Sequence, residues 1–260
     1  MEKKILYLLT CVGLCWSSCT NEVDEFIGNV EPSTRSVSTA LNANLASLFT
    51  GGAPTLTSAE IKEVNDAYAK MTSINCYRNI DEAVRNKTSY AGTIFLDDTY
   101  ASAYFRKGSL AFPPYGILAS SMEHEFIHMY QRDVQGKKVD TDKEKRDTGM
   151  MEFELAFYQG IIRYIHAGYS WTFKGEDGDP SYQSLWTSGL TDPSLIPQYE
   201  REFQTYVASI CANGKPTSID INEFVKWSNI FGEYSRGYSG KGYKFGNYDY
   251  GTSCINSLLK

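Results

Sequence analysis

The hydrophobic pattern divides the chain into helical stretches on either side of a short extended region. Thr57-Ser58-Ala59-Glu60 is a capping box, and the helix it opens places Ile61, Val64, Tyr68 and Met71 on one face. A second helical stretch, Ile80 to Asn86, carries Ala83 and Val84 inward. The period then changes: Gly92 to Asp98, Ala101 to Phe105 and Ser109 to Phe112 read as strands, and Pro113-Pro114 ends the last of them. Gly116 to Ser121 leads into a helix that should run to about Val134, with Gly136 as its stop. Lys137 to Arg146 is densely charged and reads as a solvated loop. Met150 to His166 forms the next long helix, whereas Gly168 to Gly189, rich in aromatics and glycine, carries no assignable period. A further helix spans Leu195 to Cys211 with Tyr199, Phe203, Tyr206, Val207 and Ile210 inward. Another runs from Ile221 to Tyr234, capped by Ser218 or Asp220. The tail from Gly237 holds too many glycines for a helix and reads as a loop or a short strand. The pattern predicts one α+β domain with more helix than sheet, its three short strands lying before the helix that starts near Ser121.

The first residues follow a different logic. Lys3 and Lys4 form a basic start, and Ile5 to Trp16 a hydrophobic stretch too short for an ordinary membrane-spanning helix. Ser17-Ser18-Cys19 then places small residues directly before a cysteine. This resembles the lipobox of bacterial lipoproteins, in which the cysteine is lipidated and becomes the mature N-terminus; Trp16 departs from the aliphatic residue usual at that place. Ordinary signal cleavage is the competing expectation. Glu22, Asp24 and Glu25 behind Cys19 resemble the surface-export signal of gut Bacteroidetes lipoproteins. Residues 20–40 are polar, with Pro32 and a Ser/Thr-rich run, and read as a tether. The expected organisation is a signal peptide over 1–18, a tether over 19–40 and one domain over 41–260. The resemblance implies a bacterial outer-membrane lipoprotein, periplasmic or surface-exposed, anchored through lipid on Cys19.

A net charge of −6 lacks the basic footprint that nucleic acid requires. Aromatic residues make up 14 % of the chain, which fits a surface that contacts peptide or carbohydrate. Beyond Cys19 the domain keeps Cys76, Cys211 and Cys254, an odd number that allows at most one disulfide, with Cys211–Cys254 as the candidate pair.

The chemistry concentrates in His124-Glu125-Phe126-Ile127-His128, which has the form H-E-x-x-H. On a helix, residues four apart share a face, so the two imidazoles can present nitrogens to one metal ion while Glu125 lies about 100° round. Imidazoles with an open water position suit Zn²⁺, and Glu125 stands where it can take a proton from a zinc-bound water. The pentapeptide resembles the active-site helix of the zincin metallopeptidases. That resemblance implies a mostly helical zincin-like domain with a small mixed sheet before this helix, a third protein ligand and a peptide or protein substrate. The residues after His128 lack the further histidine of metzincins, which points to the gluzincin pattern, with a glutamate from a following helix. Glu152 and Glu154 are the candidates, although Leu155 stands where such motifs often have alanine.

The helical projection separates the two glutamates by about 160°. Glu154 falls among Met150, Tyr158, Ile161 and Ile165, where a carboxylate needs a cation. Glu152 falls with Gln159, Arg163 and His166 on a polar face that could line a cleft, so Glu152 is the expected ligand and Glu154 the alternative, the latter then needing its own lysine or arginine. His166 is a candidate oxyanion stabiliser. The expected activity is zinc-dependent hydrolysis of a peptide bond, with Glu125 as general base. The alternative is a cell-surface lipoprotein that binds peptide or glycan around a structural or catalytically silent zinc.

Overall fold

The computed structural model describes residues 40–137, 145–166, 192–211 and 220–234. Over these the chain is α+β: mostly helix, with one small mixed sheet. A short helix, α1 (Ala43–Leu48), precedes α2 (Ser58–Ser73). α2 opens on the expected capping box, in which the Glu60 N–H donates to Thr57 Oγ1 at 3.3 Å and the Thr57 N–H to Glu60 Oε2 at 2.6 Å. α3 (Asn75–Lys87) begins before the expected Ile80, because its polar first turn hides one inward residue, Tyr77.

The three strands are β1 (Ile94–Leu96), β2 (Tyr104–Arg106) and β3 (Ser109–Phe112). β3 is central, parallel to β1 (Phe95 opposite Ala111) and antiparallel to β2 (Phe105 opposite Leu110). β1 and β2 are thus edges, and both differ from the expected spans. β1 is cut short by a turn in which Asp97 Oδ1 accepts from the Thr99 N–H at 2.8 Å. β2 starts later because Lys107-Gly108, with φ of +51° and +78°, forms a tight two-residue hairpin and sets its register against β3. Gly92 allows a close approach there: a Cβ would lie 2.2 Å from the Gly108 carbonyl oxygen.

α4 (Ala119–Met129) carries the histidines and ends in a π-helical turn, Tyr130–Val134. Its inner face buries Met122, Phe126, Ile127 and Met129 against α2 and α3, with Phe126 and Tyr68 ring centroids 6.1 Å apart. Its other contacts are with β2 and α5. Past the π turn, Gly136 at φ +71° reverses the chain, and the Lys137 N–H donates to the Gln131 carbonyl at 3.0 Å. This is a Schellman-like ending widened by one residue, as the wider π turn requires.

α5 (Lys145–His166) begins inside the charged stretch, so Lys137 to Arg146 is not simply a solvated loop. Lys145 and Arg146 are helical, and the Lys137 side chain is only 11 % exposed because it turns inward to Glu154. α6 (Ile196–Ile210), entered through a 3-10 turn at Pro193–Leu195, and α7 (Ile221–Tyr234) pack on α5. Phe153, Phe157, Phe203, Phe224 and Trp227 bind the three together, with Phe153–Phe224 and Phe203–Trp227 centroids at 5.0 and 5.3 Å. Of the two caps expected for α7, Asp220 is the one seen, accepting from the Asn222 N–H at 2.8 Å.

Cys76 and Cys211 are free thiols, so the candidate Cys211–Cys254 pair is not formed; Cys254 itself lies outside the described residues. Cys19, the tether, Gly168 to Gly189, Ser218 and the tail from Gly237 also lie outside them. Among the described residues no helix is long and apolar enough to cross a membrane.

Candidate metal centre

The helical spacing of four brings the two imidazoles of α4 together. Their ring planes stand at 81° and their Nε2 atoms lie 3.1 Å apart. α5 crosses this face and supplies Glu152, whose Oε1 is 3.3 Å from His128 Nε2 and whose Oε2 is 3.8 Å from His124 Nε2. Two nitrogens and a carboxylate oxygen thus converge on one point, a group that could hold a metal ion. Zinc with bonds of about 2.0–2.1 Å and tetrahedral angles separates its ligands by about 3.3 Å, close to the 3.1 Å between the imidazole nitrogens and the 3.3 Å from His128 to Glu152 Oε1. The side chains of His124 and Glu152 are 24 % and 21 % exposed, so the cluster is partly open to solvent.

Glu125 stands beside this group and outside it. Its Oε1 is 4.0 Å from His124 Nε2, and its side chain is only 6 % exposed. The backbone N–H of Phe105, on the edge strand β2, favours its charged form. Burial pushes the Glu125 carboxyl up to about 7, inside the range where a group both takes and gives protons near neutrality. Burial and the neighbouring His128 drive His124 down to about 4. Burial also opposes charge on His128, but the Glu152 carboxylate outweighs it and holds that imidazole up to about 9. Two basic nitrogens and a carboxylate packed this closely call for a positive charge among them, and a proton on His128 answers that call in the metal-free chain.

Glu154 is elsewhere. It is fully buried on the opposite side of α5, where Gln131 Nε2 donates to its Oε2 at 2.7 Å and the Lys137 ammonium pairs with the same oxygen. Burial raises its carboxyl above the ordinary range, and Lys137 and Gln131 offset part of that rise. The structure therefore gathers His124, Glu125, His128 and Glu152 and leaves Glu154 out. The helix containing His166 is present, but that side chain lies outside the described residues, so the oxyanion role receives no geometry.

Sequence reasoning missed two members of the surroundings, Gln131 and Lys137. Gln131 follows His128 by three residues, a helical contact distance that could have exposed it. Lys137 was hidden at the edge of a charge run. Comparison with known protein families, curated sequences and solved structures found no match for this chain.

Proposed function

We propose that the chain is a zinc-dependent hydrolase of the zincin type, most simply a peptidase, with His124, His128 and Glu152 as metal ligands and Glu125 as the acid–base group. One observation carries the reading: two imidazole nitrogens 3.1 Å apart face one carboxylate, Glu152, at 3.3 and 3.8 Å, and a second carboxylate, Glu125, stands 4.0 Å from His124. A purely structural zinc site needs no such carboxylate. This favours an enzyme over a binding lipoprotein.

When bound, zinc would supply Lewis acidity, activating water and polarising a carbonyl. Glu125 takes the proton from the attacking water and returns it to the leaving amine, which its position near pH 7 suits in both directions. Glu152 and the imidazoles orient the centre, and the shielding of Glu125 limits competing water. The lipobox resemblance adds that the domain works at a bacterial outer membrane, held by lipid on Cys19.

The test is hydrolysis of a mixed peptide library by wild type and by Glu125→Gln. The variant should keep zinc and lose on the order of 10²-fold or more in rate. Equal turnover in the two proteins would sink the mechanism.

A further inference from the structure

Gln131 has no part in the reaction just described, yet each end of its amide is engaged. It is fully buried, and its Nε2 donates to the Met151 carbonyl at 2.9 Å and to Glu154 Oε2 at 2.7 Å. Its Oε1 lies 2.9 Å from His128 Nδ1. The Met151 carbonyl has no proton to give, so the Gln131 atom facing it must be the NH₂ group. That fixes the direction of the amide and leaves its oxygen against the imidazole. An amide oxygen only accepts, so His128 Nδ1 must carry a hydrogen. With that hydrogen on Nδ1, a neutral His128 keeps the lone pair of Nε2, the nitrogen that faces His124 and Glu152.

We infer that Gln131 is a positioning residue that selects Nε2 of His128 as the metal-binding nitrogen, with the Lys137–Glu154 pair and the Met151 carbonyl holding its amide the right way round. The inference rests on the proposed metal reading of His124, His128 and Glu152. The backbone reinforces the arrangement. The π turn and Gly136 bring Lys137 back so that its N–H donates to the Gln131 carbonyl while its ammonium reaches Glu154. One residue thus braces Gln131 from the main chain and, through Glu154, from the side chain. Hydrogen-bonded partners of metal-binding histidines set both tautomer and ring orientation, and their loss typically weakens metal affinity by about 10–100-fold.

The experiment compares wild type with Gln131→Leu, which keeps the volume and removes every hydrogen bond of the amide. Zinc affinity is measured by competition with a chelator. The thermal midpoint of the metal-free proteins serves as the folding control, and ¹⁵N–¹H spectra of the zinc-loaded imidazoles report which nitrogen is protonated. The expected result is zinc binding about 10–100-fold weaker in the variant, with the wild-type spectrum placing the hydrogen of His128 on Nδ1. Undiminished affinity in a folded variant, or a wild-type spectrum with the hydrogen on Nε2, would overturn the inference. If Gln131→Leu does not fold, the wild-type spectrum alone decides the question. A wild type that takes up no zinc overturns instead the metal reading beneath it, so the two failures are told apart.

Discussion

Replacing Glu152 and Glu154 by alanine, one at a time, separates a metal ligand from a structural charge, because their surroundings predict opposite outcomes. Glu154 is fully buried, and its removal takes one partner from the Lys137 ammonium, itself 11 % exposed, and one from the Gln131 amide. Breaking a buried pair from one side costs about 3–5 kcal/mol. The low end applies here: among the described residues Glu154 Oε1 has no hydrogen-bond partner to lose, and Lys137 has a flexible stem that can turn toward water. About 3 kcal/mol lowers Tm by roughly 6–12 °C in a domain of this size. Zinc should still bind, weakened about tenfold through the loosened Gln131.

For Glu152→Ala the pattern reverses. Glu152 stabilises the metal-free fold chiefly by holding a proton on His128 up to about 9, which at pH 8 amounts to at most about 1.4 kcal/mol. Its loss should lower Tm by no more than about 3–6 °C at pH 8 and weaken zinc on the order of 100-fold or more, since a catalytic site needs its third protein ligand. Thermal unfolding without metal and chelator competition with it are the two assays. A Glu154→Ala protein that keeps its Tm but loses zinc would refute the assignment.

Zinc has to displace the proton that Glu152 holds on His128 up to about 9, so metal affinity should fall by about tenfold per pH unit between about pH 8 and pH 5 and level off above about 9. Calorimetry in buffers of different ionisation enthalpy should find about one proton released per zinc near pH 7; no proton release would place the metal elsewhere. Cys19→Ser should release the protein from membranes, because lipid chains are what would hold such a domain there; a variant that still fractionates with membrane contradicts the lipobox reading. Gly108→Ala, at φ +78° in the β2–β3 hairpin, should cost about 1 kcal/mol in urea unfolding, and a neutral result would argue against that turn.

The elements that sequence alone revealed were those with strong local signals. Thr57 and Glu60 announce α2 through a reciprocal cap, and the spacing of His124 and His128 alone puts both imidazoles on one face. α1 was not foreseen, since Leu45 and Leu48 in a six-residue helix leave too short a period to read. The strand ends slipped because Asp97 and the Lys107-Gly108 turn, both local side-chain or φ effects, override the alternation of apolar residues. The separation of Glu152 from Glu154 was legible as a helical angle, but the cation for Glu154 was not. Lys137 reaches it only because the π turn and Gly136 fold the chain back, a tertiary consequence that no periodicity carries. Gln131 illustrates the same limit. Its spacing from His128 was visible, whereas the Met151 carbonyl that fixes its direction comes from another helix.

If His124, His128 and Glu152 form one zinc site, metal stoichiometry must show it. The purified chain is stripped with chelator, returned to zinc, freed of excess and measured by elemental analysis beside His124→Ala and His128→Ala. The expected result is about one zinc per wild-type chain and essentially none in either histidine variant, all three being folded. A wild type that returns without zinc, or a histidine variant that keeps a full equivalent, would contradict it.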